Sequence, residues 1–520
     1  MVSVVVIVVS LGAAFALAVQ AWSSSLRRSK ATRPIPGPSG LPIIGNLRDI
    51  PTGFLWYKFT EWCDKYGPLV KFNIAGHDHL IINTEKIAND LMRERGNIYS
   101  SRPQIPMAAQ LLSQNMRPVL LPYGDTWRNG RKLMHHLAMP AVARKYEPIQ
   151  EQESIRVLHE LLHDSAEYEQ WFERYAAGLI MQLAFGQKII TGKEEPVRRI
   201  YTILDHLSRL SEPAGYLVNI FPILLRLPSW LAPFKKEAAR LHAEELDLFS
   251  SLVKGVEVRR SKGDPHAGNT FTSKWLEDKS AYGLTDPEAY YVLGTLFEAG
   301  AGTTAAAMMS FVLAMVLYPD KYEKLKSELD TVVGSTRLPT FEDFADLPYM
   351  RACVKETLRW RPVTPTNIPH ELTRDDVYEG YLIKQGTVIQ VNQWGIHREP
   401  ELYPKPEDFL PERWLEPFYP TYREPLEKYP NLQNFSAFGF GRRICPGLHI
   451  AERSLYLLTA RISWAFDISA KPGVTYRDDD YVPTGLAQPK WFDFHLAARD
   501  DRTKYVEDAY QDSEWPRLQT

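Results

Sequence analysis

Apolar residues recur at helical spacing over long stretches, for example Glu151 to His163 and Lys236 to Val258, while strand-like alternation is confined to short runs. The pattern predicts a mainly α fold with small β-sheets. Strands are expected at Leu69–Asn73, Leu80–Asn83, Gly380–Ile383 and Thr387–Asn392, with a turn at Lys384-Gln385-Gly386 joining the last two. One helix should be unusually long. Thr285-Asp286-Pro287-Glu288 supplies a cap, a first-turn proline and an acid, and the next stop is Pro319. About thirty residues at 1.5 Å each give on the order of 45 Å, enough to cross a domain. A membrane span is the alternative, and Glu298 with the threonines argues against it. Inside this helix lies Ala299-Gly300-Ala301-Gly302-Thr303-Thr304. Each internal glycine costs roughly 1 kcal/mol relative to alanine, so either close helix packing or a groove for ligands is expected.

Residues 1–22 are almost unbroken apolar sequence, interrupted by Ser3, Ser10 and Gln20, and about 20 such residues span a bilayer. Ala16-Leu17-Ala18 resembles a signal-peptidase site, but no basic residue precedes the apolar run. Arg27, Arg28, Lys30 and Arg33 follow it, so an uncleaved anchor with the bulk of the chain in the cytosol is expected. Residues 23–46 form a basic and proline-rich hinge, stiffened by Pro34, Pro36, Pro38 and Pro42. A length of 520 residues would suggest several domains. No linker or repeat divides the body, so one catalytic unit is assigned to 47–505, followed by a polar tail at 506–520.

The balance of 61 basic against 63 acidic residues gives no field for nucleic acid, and nucleic-acid binding is not expected. Three cysteines, Cys63, Cys353 and Cys445, are a poor disulfide framework and suit a reducing compartment. Cys445 stands apart, in Phe438-Gly439-Phe440-Gly441-Arg442-Arg443-Ile444-Cys445-Pro446-Gly447. The glycines let backbone approach a flat ring, the arginines lower the thiol pKa, and a guanidinium suits an anionic carboxylate. An inert buried cysteine is the alternative. The pattern reads instead as the axial ligand of a haem iron, where a thiolate favours O–O cleavage.

This run resembles the haem loop of the cytochrome P-450 monooxygenases, Phe-x-x-Gly-x-Arg-x-Cys-x-Gly, with Phe438, Gly441, Arg443, Cys445 and Gly447 at its fixed positions. The resemblance implies a P-450 fold binding haem b through the Cys445 thiolate. It implies further that Arg443, Trp127 and Arg131 of Trp127-Arg128-Asn129-Gly130-Arg131, His370 and Arg102 contact the propionates. Glu356 and Arg359 of Glu356-Thr357-Leu358-Arg359 would form a buried charge triad with Arg413 of Pro411-Glu412-Arg413-Trp414. Thr303 falls on the family's catalytic threonine, which assists oxygen activation and proton relay. Gly302 falls on the family's acidic position, a departure that removes the usual proton-delivery carboxylate. Glu298, one turn earlier on the same face, is a water-mediated alternative. His135, His136 and His449 read as structural. No His-x-x-x-His zinc pattern accompanies them, and no second metal is expected.

By the same resemblance, residues 102–121, 207–234 and the turn at Thr484-Gly485-Leu486 cover an apolar pocket for a lipophilic or aromatic molecule. The apolar density of 207–234 beside basic residues also suits a membrane surface. With no nucleotide fingerprint or flavin module to read, electrons are expected from a separate NADPH-cytochrome reductase at the endoplasmic reticulum. The motif wording is most similar to fungal members serving secondary metabolism. Oxygen insertion is the leading expectation. Oxidative coupling of aromatic rings by the same haem is the alternative that Gly302 motivates, and a non-catalytic haem-binding protein is a third.

Overall fold

A computed structural model describes residues 33–212, 215–423, 432, 435–483, 486–499 and 502–518. The expected anchor at 1–22, most of the basic cluster, and Thr484 and Gly485 lie outside the described residues.

The fold is mainly helical. Its helices include α1 (Leu55–Tyr66), α2 (Asp125–Ala138), α3 (Glu147–His163), α4 (Tyr168–Phe185), α5 (Glu195–Ser211), α6 (Pro233–Ser261), α7 (Asp286–Leu317), α8 (Pro348–Trp360), α9 (Leu448–Ala465) and α10 (Arg502–Asp512). The predicted long helix is α7, with 32 residues. Thr285 and Glu288 form a reciprocal capping box at its start, so two otherwise orphaned N–H groups are satisfied. Pro287 costs nothing in the first turn, where no intrahelical partner exists. The helix is apolar on all sides because α4, α6, α8 and α9 surround it. It is a core helix, long and apolar enough to cross a membrane but mostly buried inside the protein.

The strands are β1 (Leu69–Ile74), β2 (His77–Ile82), β3 (His370–Glu371), β4 (Asp376–Tyr378), β5 (Tyr381–Ile383), β6 (Val388–Val391), β7 (Phe466–Ser469) and β8 (His495–Ala498). The largest sheet has the order β1-β2-β6-β3, with β2 and β6 parallel. The turn at 384–386 does join β5 to β6, but the two strands do not pair. β5 pairs with β4, and β6 is fully buried between β2 and β3. Burial of all four β6 residues, Gln390 included, marks an interior strand covered on both faces rather than half of a hairpin.

The proline segment lies along β1, where Lys71 N–H donates to Pro36 O at 2.8 Å. At the other end, α10 packs on α3, and Trp515 within 506–520 has no exposed surface. Arg156 of α3 stacks over Trp515, its Cζ 4.4 Å from the ring centre.

Candidate active site

The thiol loop is shaped by two glycines in left-handed conformations, Gly439 at φ 85° and Gly441 at φ 55°. A Cβ at Gly441 would collide with the Met92 carbonyl, so the close approach itself requires glycine. Cys445 N–H donates to Phe438 O at 2.8 Å and closes the loop, and α9 begins three residues later. Although Cys445 has exposed surface, desolvation by the surrounding protein raises its thiol pKa, while the N–H groups of Gly447 and Leu448 and the charge of Arg131 favour the thiolate. A metal bond deprotonates such a thiol outright. Cys63 and Cys353 are buried, and burial pushes Cys63 up to about 12 and Cys353 well above its ordinary value. Cys445 alone of the three is accessible.

Beside it gather Arg102, Arg131 and Arg443, with no carboxylate ion-paired to them among the described residues. Arg102 is buried, and its N–H groups donate to the carbonyls of Val119, Ile368 and Pro369. Arg443 donates to Ser100 O at 2.8 Å, Pro118 O at 3.2 Å and Leu121 O at 2.6 Å, and stacks on Trp127 at 4.3 Å. Burial, then repulsion from Arg102 and Arg131, pushes Arg443 down to about 8; burial alone takes Arg102 to about 9. An arginine does not surrender its proton in a protein, so burial and mutual repulsion make an anion beside these guanidinium groups favourable. His370 on β3 is buried against the same group, and burial followed by Arg102 and Arg443 holds it well below its ordinary pKa. Its Nδ1 faces Tyr99 O at 2.7 Å, so Nδ1–H donates and Nε2 remains for another partner. A dianionic, flat ligand with a metal opposite a thiol fits this donor set, and haem has those properties.

On α7, Gly300 and Gly302 differ. A Cβ at Gly300 would collide with Ile180 of α4, so this glycine serves helix packing. A Cβ at Gly302 would meet only Leu486 Cδ2, at 3.7 Å. Ala299 is exposed and Gly302 and Thr303 are partly so, marking the open side of the helix. Thr303 Oγ1 donates to Ala299 O at 3.1 Å, and Tyr201 Oη donates to Ala301 O at 3.1 Å.

Glu298 does not stand free as a proton donor. It is buried and ion-paired with Arg117, which also meets Glu245 of α6 at 2.7 Å. Tyr291 Oη donates to Glu245 at 3.0 Å, and His242 Nδ1 lies 2.9 Å from that hydroxyl. Two carboxyls thus share one guanidinium. Arg117 is the single charged residue between Pro103 and Gly124, the one sequence signal that could have marked it.

The predicted triad meets in space. Arg359 makes two N–H bonds to Glu356, at 2.9 and 2.8 Å, and Arg413 Nε donates to the same carboxylate at 3.0 Å. Trp414 Nε1 and Leu410 N–H complete the carboxylate's shell, and all three charged residues are fully buried. The remaining N–H groups of both arginines reach carbonyls at His397, Pro404, Pro406 and Asp408.

The expected substrate-covering segments pack together: Met107, Ala108 and Leu112 share one apolar cluster with Leu210, Val218 and Leu241. Outward, Leu217, Phe221, Ile223, Trp230 and Leu231 are exposed. Among the histidines, His135 is exposed, His136 Nδ1 lies 3.3 Å from Tyr282 Oη, and His449 lies 3.9 Å from Glu452. The expectation of no His-x-x-x-His pattern needs correcting, because His159 and His163 form one on α3 and Glu507 of α10 meets both.

The family model described as Cytochrome P-450 matches residues 35–493. Cytochrome P-450 monooxygenase 58 of Postia placenta is 36% identical over 89% of this chain and 88% of its own. Cytochrome P-450 monooxygenase fogE of Aspergillus ruber is 34% identical over 94% of this chain and 91% of its own. A zebra fish cytochrome P-450 solved with abiraterone superimposes with a TM-score of 0.69 at 23% identity, covering 85% of this chain and 99% of that one, and shows the shared fold. The thiol loop, the uncompensated arginines and the family match agree: the chain belongs to the cytochrome P-450 family of haem-thiolate monooxygenases.

Proposed function

We propose that the protein is a membrane-anchored monooxygenase that oxidises a lipophilic or aromatic small molecule with O2 and electrons from NADPH-cytochrome reductase. The observation that carries this reading is an accessible Cys445, with the Gly447 and Leu448 N–H groups on its sulfur, beside three arginines that have no acid partner among the described residues. Haem supplies the oxygen chemistry when bound. Cys445 would hold its iron as a thiolate, and Phe438, whose carbonyl accepts from Cys445 N–H, would help hold the thiol loop against it. Arg102, Arg131, Arg443, Trp127 and His370 would hold the propionates, whose charge offsets the mutual repulsion of the arginines. His370 can donate from Nε2 only as the imidazolium, because Nδ1–H is committed to Tyr99 O, and adjacent carboxylates favour that form.

Thr303 is the proposed catalytic hydroxyl. At rest its proton is spent on Ala299 O, and rotation about χ1 frees it to hand a proton into the pocket. No side chain at 302 can reload it, and Glu298 is held by Arg117, so solvent reaches Thr303 through the space beside Gly302. That same space motivates the second reading, oxidative coupling of aromatic rings, which needs room and inserts no oxygen atom. The apolar stretch 1–22, the hinge 23–46 and the exposed Leu217 to Leu231 surface support an endoplasmic-reticulum anchor with a cytosolic catalytic body. Likeness to Postia and Aspergillus monooxygenases supports a place in fungal secondary-metabolite biosynthesis.

Turnover with reductase, NADPH and 18O2 over an aromatic substrate panel tests this. The expected product carries one labelled oxygen. Dimeric product without label would replace insertion by coupling, and haem-replete protein with no product across the panel would count against both.

A further inference from the structure

His159 and His163 stand one turn apart on α3, so both rings leave the same helix face, with centroids 4.4 Å apart. Glu507 of α10 faces them. Its Oε1 lies 2.8 Å from His163 Nε2, and its Oε2 lies 3.3 Å from His159 Nδ1. Ligand atoms of the three residues all fall within 4.8 Å of one another.

The two contacts differ in kind. His163 and Glu507 are hydrogen-bonded at 2.8 Å, whereas His159 Nδ1 faces the other carboxylate oxygen at the longer ion-pair distance of 3.3 Å. Metal–ligand bonds of about 2.0–2.1 Å give a tetrahedral edge of about 3.3 Å, which the His159–Glu507 pair matches at 3.3 Å and the His163–Glu507 pair approaches at 2.8 Å. His159 is also held in place: its ring stacks on Tyr510 of α10, with centroids 3.6 Å apart and planes 2° apart. Two imidazoles and a carboxylate suit zinc and its neighbours rather than magnesium or calcium, which prefer all-oxygen shells.

We propose that His159, His163 and Glu507 form a binding site for a divalent transition ion of the zinc class, which fastens the C-terminal segment to α3. Three protein ligands leave a fourth position for water, and the half-exposed His163 side chain opens the site to solvent. Glu507 lies beyond residue 493, where the family match ends, so the ion ties chain outside that match to a helix within it. Because ligands from two helices meet only when α10 is docked, the ion stabilises the docked state by mass action.

The test uses full-length holoprotein, stripped with chelator and given zinc sulfate alone. About one zinc per haem iron is expected after gel filtration, with a higher melting temperature and slower proteolytic release of residues 502–518. His163→Gln and Glu507→Gln should each weaken zinc binding by at least about tenfold and abolish the thermal shift, with the haem spectrum unchanged. His135→Gln, at an exposed histidine elsewhere, should leave both intact. Wild-type protein that retains no zinc overturns the proposal, as does zinc binding that survives both variants.

Discussion

A Cβ built on Gly300 would collide with Ile180, whereas one on Gly302 would meet only Leu486 at 3.7 Å. Gly300→Ala should therefore overpack the α4–α7 contact and cost roughly 1–3 kcal/mol, seen as a lower melting temperature. Gly302→Asp should fold and keep its haem spectrum. Its effect should appear in turnover, as a higher ratio of product formed to NADPH consumed; an unchanged ratio would show that protons do not limit the reaction at this position. Glu356 belongs to the same scale. Glu356→Ala strands Arg359 and Arg413 in the interior at a cost of about 3–5 kcal/mol, and the measured haem-to-protein ratio should collapse. The sequence made these positions readable because each sits inside a short motif. It did not separate the two glycines, since which one faces a neighbouring helix depends on how α4 packs.

Between elements, Arg117 links the segment 102–121 to α6 and α7. It was not legible as a partner of Glu245 and Glu298, because both lie more than a hundred residues beyond Arg117 in the chain. Burial lifts both carboxyls above their ordinary range, and Arg117 opposes the shift. A carboxyl whose folded pKa exceeds its unfolded value holds more protons in the native state. Stability therefore falls as pH rises from the ordinary glutamate range through the raised folded value. Glu298→Gln removes one such group and leaves Arg117 with a single carboxylate. Melting temperature should then fall less steeply as pH rises above the ordinary glutamate range. Arg117→Met leaves two unpaired acids and should lose about 3–5 kcal/mol there. The short strands β3 and β4 escaped the periodicity for a related reason: two or three residues carry too little alternation to register.

At the scale of the molecule, the helical plan, the long α7 and the thiol loop were legible because helical period, caps and glycine spacing are local signals. Sheet order was not, since β6 finds β2 some three hundred residues away. The outer surface extends the account to the membrane. Trp230 is 76% exposed beside Leu231, so in full-length protein its fluorescence should be quenched by brominated lipid in vesicles. Trp230→Ser should remove that component, and unquenched Trp230 would place this face in water. The central claim remains that Cys445 ligates the haem iron. The reduced, carbon monoxide-bound spectrum of wild type and Cys445→His tests it most directly. The account predicts a red-shifted thiolate-type band in the wild type and its replacement by a histidine-type band in a variant that still holds haem; a thiolate-type band persisting in Cys445→His would contradict it.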